Sequence, residues 1–385
     1  MTLPWIMDEK TLNLPVSEKL DWLRLIRSEN VGPITFHGLL QQFGSARAAL
    51  DALPDLARRG GRKKLKVASR AQAEKEIEAA RAMGARLIAA VEPDYPPLLA
   101  QTEDAPPLIY LLGHAHLLRK KAVAVVGARN ASVNGCHLAE RLSRDLGQGG
   151  LLVVSGMARG IDAAAHRGAL ATGTVAVLAG GVDHIYPKQN KELYARIRDM
   201  GALIAESPPG TVPQARHFPS RNRLISGMSR GVLVVEAAPR SGSLITARLA
   251  LDQGREVFSV PGSPLDPRSH GTNDLLRQGA VLVETADEIL DQVKTSGSAS
   301  LKEPRQSFPS AVSPTELAPV PAPEDRDSAR DLITNSLGPS PVSVDEIIRR
   351  CQFSPAVVAT VLLELELSSR LERHPGNRVS LIHDG

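Results

Sequence analysis

Cysteine and aromatic residues are scarce in this sequence. Only Cys136 and Cys351 occur among 385 residues, which excludes a disulfide framework and any cysteine-rich zinc module. Aromatic residues make up 3% of the chain, whereas a protein that holds single strands by stacking bases needs more of them. If a nucleic acid is the partner, contacts to phosphate should therefore dominate.

Long apolar runs are also missing. No stretch approaches the roughly 20 apolar residues that cross a bilayer, and the most apolar one, Leu170 to Val182, is interrupted by glycine and threonine. Asp8, Glu9 and Lys10 stand where a signal peptide needs an apolar core. We expect a cytoplasmic protein without a membrane partner.

The usual signatures of cofactor sites do not occur. Residues 127–132 read Gly-Ala-Arg-Asn-Ala-Ser rather than the G-x-G-x-x-G of dinucleotide sites, and there is no P-loop sequence. His166, His184 and His217 lack carboxylates or cysteines at metal-ligand spacing. No cofactor and no metal are expected.

The composition divides the chain into four segments, since 385 residues exceed one typical domain. We predict a helical domain over 1–85, a larger domain over 86–290, a proline-rich linker over 291–326 and a winged helix over 327–385. Val31-Gly32-Pro33 separates two helical stretches, as in a helix-hairpin-helix or SAM-like module. Such a turn could present backbone N–H groups to a phosphate, or the helices could simply pack.

Residues 121–290 alternate apolar strands, glycine turns and helices. This repeat predicts an α/β domain with a Rossmann-like, doubly wound parallel sheet covered on both faces. Ligands of such sheets bind beyond the carboxyl ends of the strands. Turns rich in glycine or serine occur there, and they favour a polyanion, although the arginines could instead close surface ion pairs. The cations in or beside these turns are Arg129, Arg159, Lys188, Arg221 and Arg223.

Several motifs in this region together resemble the DNA-processing protein A family (DprA, also called Smf). They are VGAR at 126–129, SGMARGID at 155–162, Tyr186-Pro187, FPSRNR at 218–223, SGSLITA at 241–247 and VPG at 260–262. The resemblance implies a bacterial, non-catalytic protein that binds incoming single-stranded DNA during natural transformation, protects it and helps to load the recombinase RecA. It also implies a homodimer.

The turns and the resemblance together give the candidate DNA-binding residues. They are Arg129, Gly156, Arg159, Lys188, Arg221, Asn222, Arg223, Ser241, Gly242, Ser243 and Thr246. The dimer surface that the resemblance implies would include Leu275, Leu276 and Leu282.

An enzyme is the alternative interpretation. Related Rossmann-like sheets include hydrolases of nucleoside phosphates, for which Glu236, at the end of a strand, would be the general base. Asp162 and His166, four residues apart on a predicted helix, could form an oriented base or could merely fix the helix start.

The winged helix raises a separate question. Its predicted third helix, Ser354–Arg370, carries Glu364 and Glu366, which would repel phosphates in a major groove. Either the wing, with Arg373, His374 and Arg378, contacts DNA, or this domain binds protein.

Overall fold

The fold is described from a computed structural model. It covers residues 13–60, 65–295, 323–338, 340–351, 353–374 and 376–382. Within these ranges, no helix combines the length and the apolar character that a membrane span requires. Most of the predicted linker lies outside the described residues.

Fourteen α-helices occur in the described ranges. They are α1 (Val16–Ile26), α2 (Pro33–Phe43), α3 (Ala46–Arg59), α4 (Arg70–Ala82), α5 (Val133–Gln148), α6 (Ile161–Ala169), α7 (Lys191–Met200), α8 (His217–Gly227), α9 (Gly242–Asp252), α10 (His270–Arg277), α11 (Ala286–Thr295), α12 (Pro323–Ser336), α13 (Val344–Cys351) and α14 (Pro355–Leu367). The break predicted at Val31-Gly32-Pro33 is confirmed, since α2 begins at the proline and the chain before it is not helical.

Twelve strands accompany these helices in the same ranges. They are β1 (Arg86–Ala89), β2 (Leu108–Gly113), β3 (Ala122–Val126), β4 (Leu152–Ser155), β5 (Thr174–Leu178), β6 (Ala202–Ala205), β7 (Gly231–Val234), β8 (Glu256–Ser259), β9 (Val281–Leu282), β10 (Val342–Ser343), β11 (Leu371–His374) and β12 (Arg378–Leu381).

The first nine strands form one sheet in the order β1-β2-β6-β5-β4-β3-β7-β8-β9. The strands from β6 to β9 in that order pair in parallel, while β1 and β2 are antiparallel to their neighbours. The direction of winding reverses at β3, which pairs with β4 on one side and with β7 on the other. The predicted doubly wound α/β fold is therefore confirmed, and its switch point lies between β3 and β7.

Both faces of this sheet are buried, which explains why its strands read as continuous apolar runs. Along β3, Val123 and Val125 join a core cluster with residues of α5 and α6 on one face. Ala124 and Val126 join another cluster with residues of α8 and α9 on the opposite face. The helices therefore leave the carboxyl-end edge of the sheet as the place where loops gather.

The described residues divide into two compact units. The first combines residues from 1–20 and 70–298, and the second combines residues from 21–69 and 299–385. The second unit therefore joins α2 and α3 to the winged helix, although they lie at opposite ends of the sequence. The four segment boundaries that the sequence suggests remain a prediction.

The C-terminal segment has the winged-helix fold. Helices α12, α13 and α14 surround an apolar core, and β10, β12 and β11 form a three-stranded antiparallel sheet in that order. The third helix begins at Pro355, and Ser354 caps it by accepting a hydrogen bond from the Val357 N–H at 3.4 Å.

Candidate nucleic-acid interface

Two neighbouring cavities lie beyond the carboxyl ends of β3, β4, β5 and β7. Their volumes are about 460 Å³ and 490 Å³, and Arg129, Ala158, Phe218 and Arg221 line both of them. Gly156, Arg159 and Lys188 line the first cavity, whereas Asn222, Ser241, Gly242, Ser243 and Thr246 line the second. The structure therefore brings ten of the eleven candidate residues to one edge of the sheet.

Arg221 lies at the base of both cavities and is only 6% exposed. Its Nη1 donates to the Val177 carbonyl at 3.1 Å, whereas its Nε has no hydrogen-bond partner among the described residues. Burial lowers the pKa of Arg221 to about 10, and Asp162 opposes that shift. The guanidinium therefore remains charged at neutral pH, and its positive charge lies beside both cavities.

Asp162 compensates part of this buried positive charge. It is 6% exposed and accepts a hydrogen bond from the Ala158 N–H at 3.2 Å. Burial raises the pKa of Asp162 above its ordinary value, while Arg221 opposes that rise. Asp162 thus fixes the loop after β4 and holds one negative charge against the arginines.

Glycine at position 156 provides the space that Arg221 occupies. A Cβ atom built on Gly156 would lie 1.5 Å from the Arg221 Nη1 atom, a distance that no side chain tolerates. The first glycine of the SGMARGID motif is therefore explained by the close approach of a cation to the backbone.

The first cavity carries a small aromatic platform. The Arg129 guanidinium lies 5.0 Å from the centre of the Phe218 ring, within the range of a cation–π contact. The Tyr186 and Phe218 ring centres are 5.6 Å apart, and Tyr186 is 48% exposed. Sequence reasoning did not place these two rings in the site, because the low aromatic content of the whole chain argued against stacking.

Lys188 and Arg159 supply exposed charge at the rim of the first cavity. The loops that carry them are tied together by Asn190. Its Nδ2 donates to the Met157 carbonyl at 2.9 Å and to the Ala158 carbonyl at 3.2 Å. Two turns from different strands are thereby held as one surface.

The second cavity is bordered by the start of α9. Ser241 caps this helix by accepting from the Ser243 N–H at 3.4 Å, and the two serine hydroxyls are 2.8 Å apart. Asn222 Nδ2 donates to the Gly242 carbonyl at 3.3 Å and so joins α8 to this turn. Arg240, which sequence reasoning missed, lines the same cavity with its backbone at φ 65°.

Arg223 is not part of this group. Its Nη2 donates to both carboxylate oxygens of Glu206 at 2.6 Å, and its Nη1 donates to the Asp104 carbonyl. Its side chain lines neither cavity. The structure thus gives Arg223 the ion-pair role that the sequence analysis kept as an alternative for these arginines.

Three family models match the chain in sequence order. They describe a DprA-like N-terminal HHH domain over residues 16–79, the DNA recombination-mediator protein A domain over 86–294 and a DprA winged helix domain over 317–377. The chain belongs to the DNA recombination-mediator protein A family. The resemblance inferred from the motifs is therefore confirmed.

Named relatives and solved structures agree with this membership. Protein Smf of Escherichia coli is 40% identical over 77% of this chain and 77% of its own length, and DNA processing protein DprA of Bacillus subtilis is 41% identical over 56% and 74%. The Streptococcus pneumoniae DprA structure is 35% identical, covers 67% of this chain and 86% of its own, and has a TM-score of 0.56. The Helicobacter pylori structure, whose study concerns its single-stranded DNA binding mode, is 27% identical, covers 55% and 97%, and has a TM-score of 0.51.

Glu236 and His166, which the sequence suggested for an enzymatic function, make hydrogen bonds within the fold instead. Glu236 lines neither cavity, and its carboxylate accepts from the Ser132 N–H at 2.9 Å and from the Ser132 hydroxyl. His166 is fully buried and its Nδ1 is 2.9 Å from Thr174 Oγ1, so it pairs with a threonine rather than with Asp162. Over the ranges that the structure describes, no cluster of histidine, cysteine and carboxylates could hold a metal ion.

The three leucines of the expected dimer surface differ in exposure. Leu275 is only 8% exposed and belongs to the sheet core, and Leu276 is half-buried. Leu282 is 50% exposed on β9, at the edge of the nine-stranded sheet. Of the three, Leu282 is the residue that offers an apolar surface.

Proposed function

We propose that this protein binds single-stranded DNA along the two cavities, without sequence preference and without chemical change to the strand. The observation that carries this proposal is the nearly buried, charged Arg221, whose side chain lines both cavities. Around it, Arg129, Lys188 and the α9 turn offer further positive charge and backbone N–H groups. Such a surface suits a chain of phosphates rather than one small anion.

The aromatic platform favours a single strand over a duplex. A base can stack on Tyr186 or Phe218 only if it is not already stacked and paired within a helix. Every base has a flat aromatic face, so stacking tolerates any sequence. The study of the Helicobacter pylori relative, which concerns single-stranded DNA binding, supports the same substrate for this chain.

The partners implied by the family resemblance are part of this proposal. A protein that covers incoming DNA during natural transformation has to pass the strand on, and RecA is the proposed recipient. Leu282 on the open sheet edge is the proposed centre of a homodimer contact, because an exposed apolar residue there gains by burial. The proposed compartment is the cytoplasm, where both the strand and the recombinase are found.

A binding titration tests the proposal. Fluorescence anisotropy of a labelled poly-dT strand, compared with a matched duplex over a salt series, should show tighter and salt-dependent binding to the single strand. The double change Arg129→Ala and Lys188→Ala should weaken binding to every sequence alike and lower the salt slope by about 1.4, at about 0.7 per lost phosphate contact.

The matched control removes two exposed arginines of the same charge from α5. Arg141→Ala with Arg144→Ala leaves both cavities intact and should keep the affinity within twofold. Equal loss in both double variants would mean that general positive charge, and not this site, holds the strand. Release of a free base or of phosphate from the bound strand would show a catalytic function instead.

A further inference from the structure

The third helix of the winged helix, α14, has two buried stripes rather than one. Val357, Val358, Val361, Leu362 and Leu365 belong to the core of the winged helix itself. Leu363 and Leu367, four residues apart on another stripe, are 5% and 0% exposed although they lie outside that core cluster. A helix that enters a DNA groove keeps one face free along its length. On α14 this face is exposed only in the first turns, at Ala356 and Ala359, and is buried at Leu363 and Leu367.

The second stripe is covered by the N-terminal helices of the same compact unit. Helix α14 packs against α2 and α3. A Cβ atom on Gly60, which ends α3, would lie 2.3 Å from the Glu364 carbonyl oxygen and 2.9 Å from the Ser368 Cβ. The two backbones therefore approach so closely that only glycine fits at position 60.

Polar contacts fix the same interface. Asn30 Nδ2 donates to the Leu367 carbonyl and to the Ser369 hydroxyl, both at 2.8 Å. The Leu367 carbonyl is one of the last in α14, a group that has no partner within the helix. The residue just before the hairpin turn thus caps the third helix of the winged helix.

The hairpin turn and the winged helix, the two segments that the sequence analysis considered for nucleic-acid contact, therefore face each other. Val31 and Gly32 of the hairpin turn line one groove of about 640 Å³ together with Glu366 and Glu372. Arg373 lines the same groove and pairs with Glu366, so a phosphate at this turn would meet Glu372 beside an ion pair rather than a free cation. The charges of this groove therefore favour the binding of neither single-stranded nor double-stranded DNA.

The charged groups of the winged helix are also engaged within it. Glu364 is buried and pairs with Arg330 at 2.6 Å, and Arg373 pairs with Glu366 at 2.9 Å. His374 Nε2 is 2.8 Å from Ser380 Oγ, and Arg378 donates to the Pro341 carbonyl at 2.7 Å. Glu364 and Glu366 are thus paired with arginines of the same domain, and His374 and Arg378 each contact another part of it.

We propose that the winged helix and the N-terminal helices are each other's binding partners, and that their docking withdraws both motifs from DNA. The two ends of one chain then form a protein module, while DNA contact belongs to the sheet. Docking takes place within one chain, since the 27 residues between α11 and α12 can span up to roughly 90 Å. This inference does not depend on the proposed single-strand site.

A cleavage experiment tests the docking in the full chain. A specific protease site inserted between residues 300 and 320 is cut under native conditions, and the products are passed over a sizing column at micromolar concentration. The C-terminal fragment should stay with the remainder of the chain. If the C-terminal fragment eluted separately when the cleaved chain carried no other substitution, the proposal would be overturned.

Matched variants test whether this interface is what retains the C-terminal fragment. Leu363→Glu should release the fragment, whereas Leu332→Glu, on a half-exposed position of α12, should not. Asn30→Gly, which keeps the unusual backbone at φ 60° but removes both hydrogen bonds, should speed release about tenfold without inserting bulk. Circular dichroism confirms that each uncut variant is folded. Equal retention of the fragment in all three variants would overturn the assigned interface.

Two further measurements complete the test. Chains with different tags, both carrying Leu282→Glu to remove the proposed homodimer contact, are mixed before cleavage. A fragment should remain with its own chain, and capture by the other tag would overturn docking within one chain. Arg378→Ala and Arg349→Ala should leave single-strand and duplex affinities within twofold. A fall of more than threefold would show that the winged helix contacts DNA.

Discussion

Gly156 and Arg221 are in direct contact, because a Cβ atom at position 156 would overlap the buried guanidinium. The contact joins the loop after β4 to helix α8 across the base of both cavities. The uncharged Gly156 thereby determines where the positive charge of Arg221 lies.

We expect Gly156→Ala to disrupt the cavities, although the substitution adds only one methyl group. The added methyl group would displace Arg221 from the Val177 carbonyl and from its place near Asp162, so single-strand affinity should fall about tenfold or more and stability by about 2 kcal/mol. Gly338→Ala is the control, since a Cβ atom there meets nothing within 4 Å and the residue lines neither cavity. If both variants bind alike, Arg221 does not contribute to binding. Anisotropy and urea denaturation provide the two measurements.

Arg223 should matter for stability and not for binding. Arg223→Ala leaves Glu206 without its two-pronged partner and Asp104 without a donor, at a cost of about 1–3 kcal/mol in the free energy of unfolding. Single-strand affinity of the folded variant should stay within twofold. A large loss of affinity with unchanged stability would place this arginine on the DNA after all.

Tyr186 should contribute stacking rather than charge. Tyr186→Ala removes the exposed ring at the mouth of the first cavity. A stacked base contributes about 1–3 kcal/mol, so affinity should fall by about five- to 150-fold. The salt slope should not change, because no phosphate contact is lost. Tyr186→Phe keeps the ring and should bind normally, and a weaker Tyr186→Phe variant would reveal a role for the hydroxyl.

His166 should make the protein acid-sensitive. Burial lowers the pKa of His166 from 6.5 to about 3, with smaller contributions from Arg221 and Arg167. Between these values the unfolded chain binds the proton and the folded chain does not, so the contribution is complete above pH 6.5 and is lost as the pH falls toward 3. The steepest dependence from this group is about 1.4 kcal/mol per pH unit.

Urea denaturation at several pH values between 7.5 and 4 measures this effect. His166→Leu should give a flatter profile than the unmodified protein, while Thr174 keeps its own hydrogen bond to the Val153 carbonyl at 2.7 Å. Two parallel profiles would mean that carboxylates, and not His166, control the acid sensitivity.

The strand ends were predictable because a buried parallel strand is a continuous apolar run that stops at a glycine or serine. That pattern correctly brought Arg129, Lys188 and Arg221 to one edge. It did not separate Arg221 from Arg223. Residues two apart on a helix point in different directions, whereas Phe218, three residues before Arg221, shares its face. Helical spacing within α8 was thus a signal that could have found the ring and excluded Arg223.

The covered face of α14 could not be read from the sequence. Leu363 and Leu367 extend an apolar helix, and local pattern alone does not say which element covers them. The fit of Gly60 against Glu364 depends on a contact between residues some three hundred positions apart. Sequence spacing carries no information about such a distant pairing.

Because β3 pairs with β7, the centre of the sheet is completed only late in the synthesis of the chain. Ala124 lies beside Val232, so the central strand waits for roughly a hundred further residues before one of its two neighbours exists. Until then its edge is open and apolar, and Arg129 has no Arg221 or Phe218 opposite it. A nascent chain therefore lacks the proposed single-strand site until α8 has been made, and its open strand edge favours aggregation until β7 is complete.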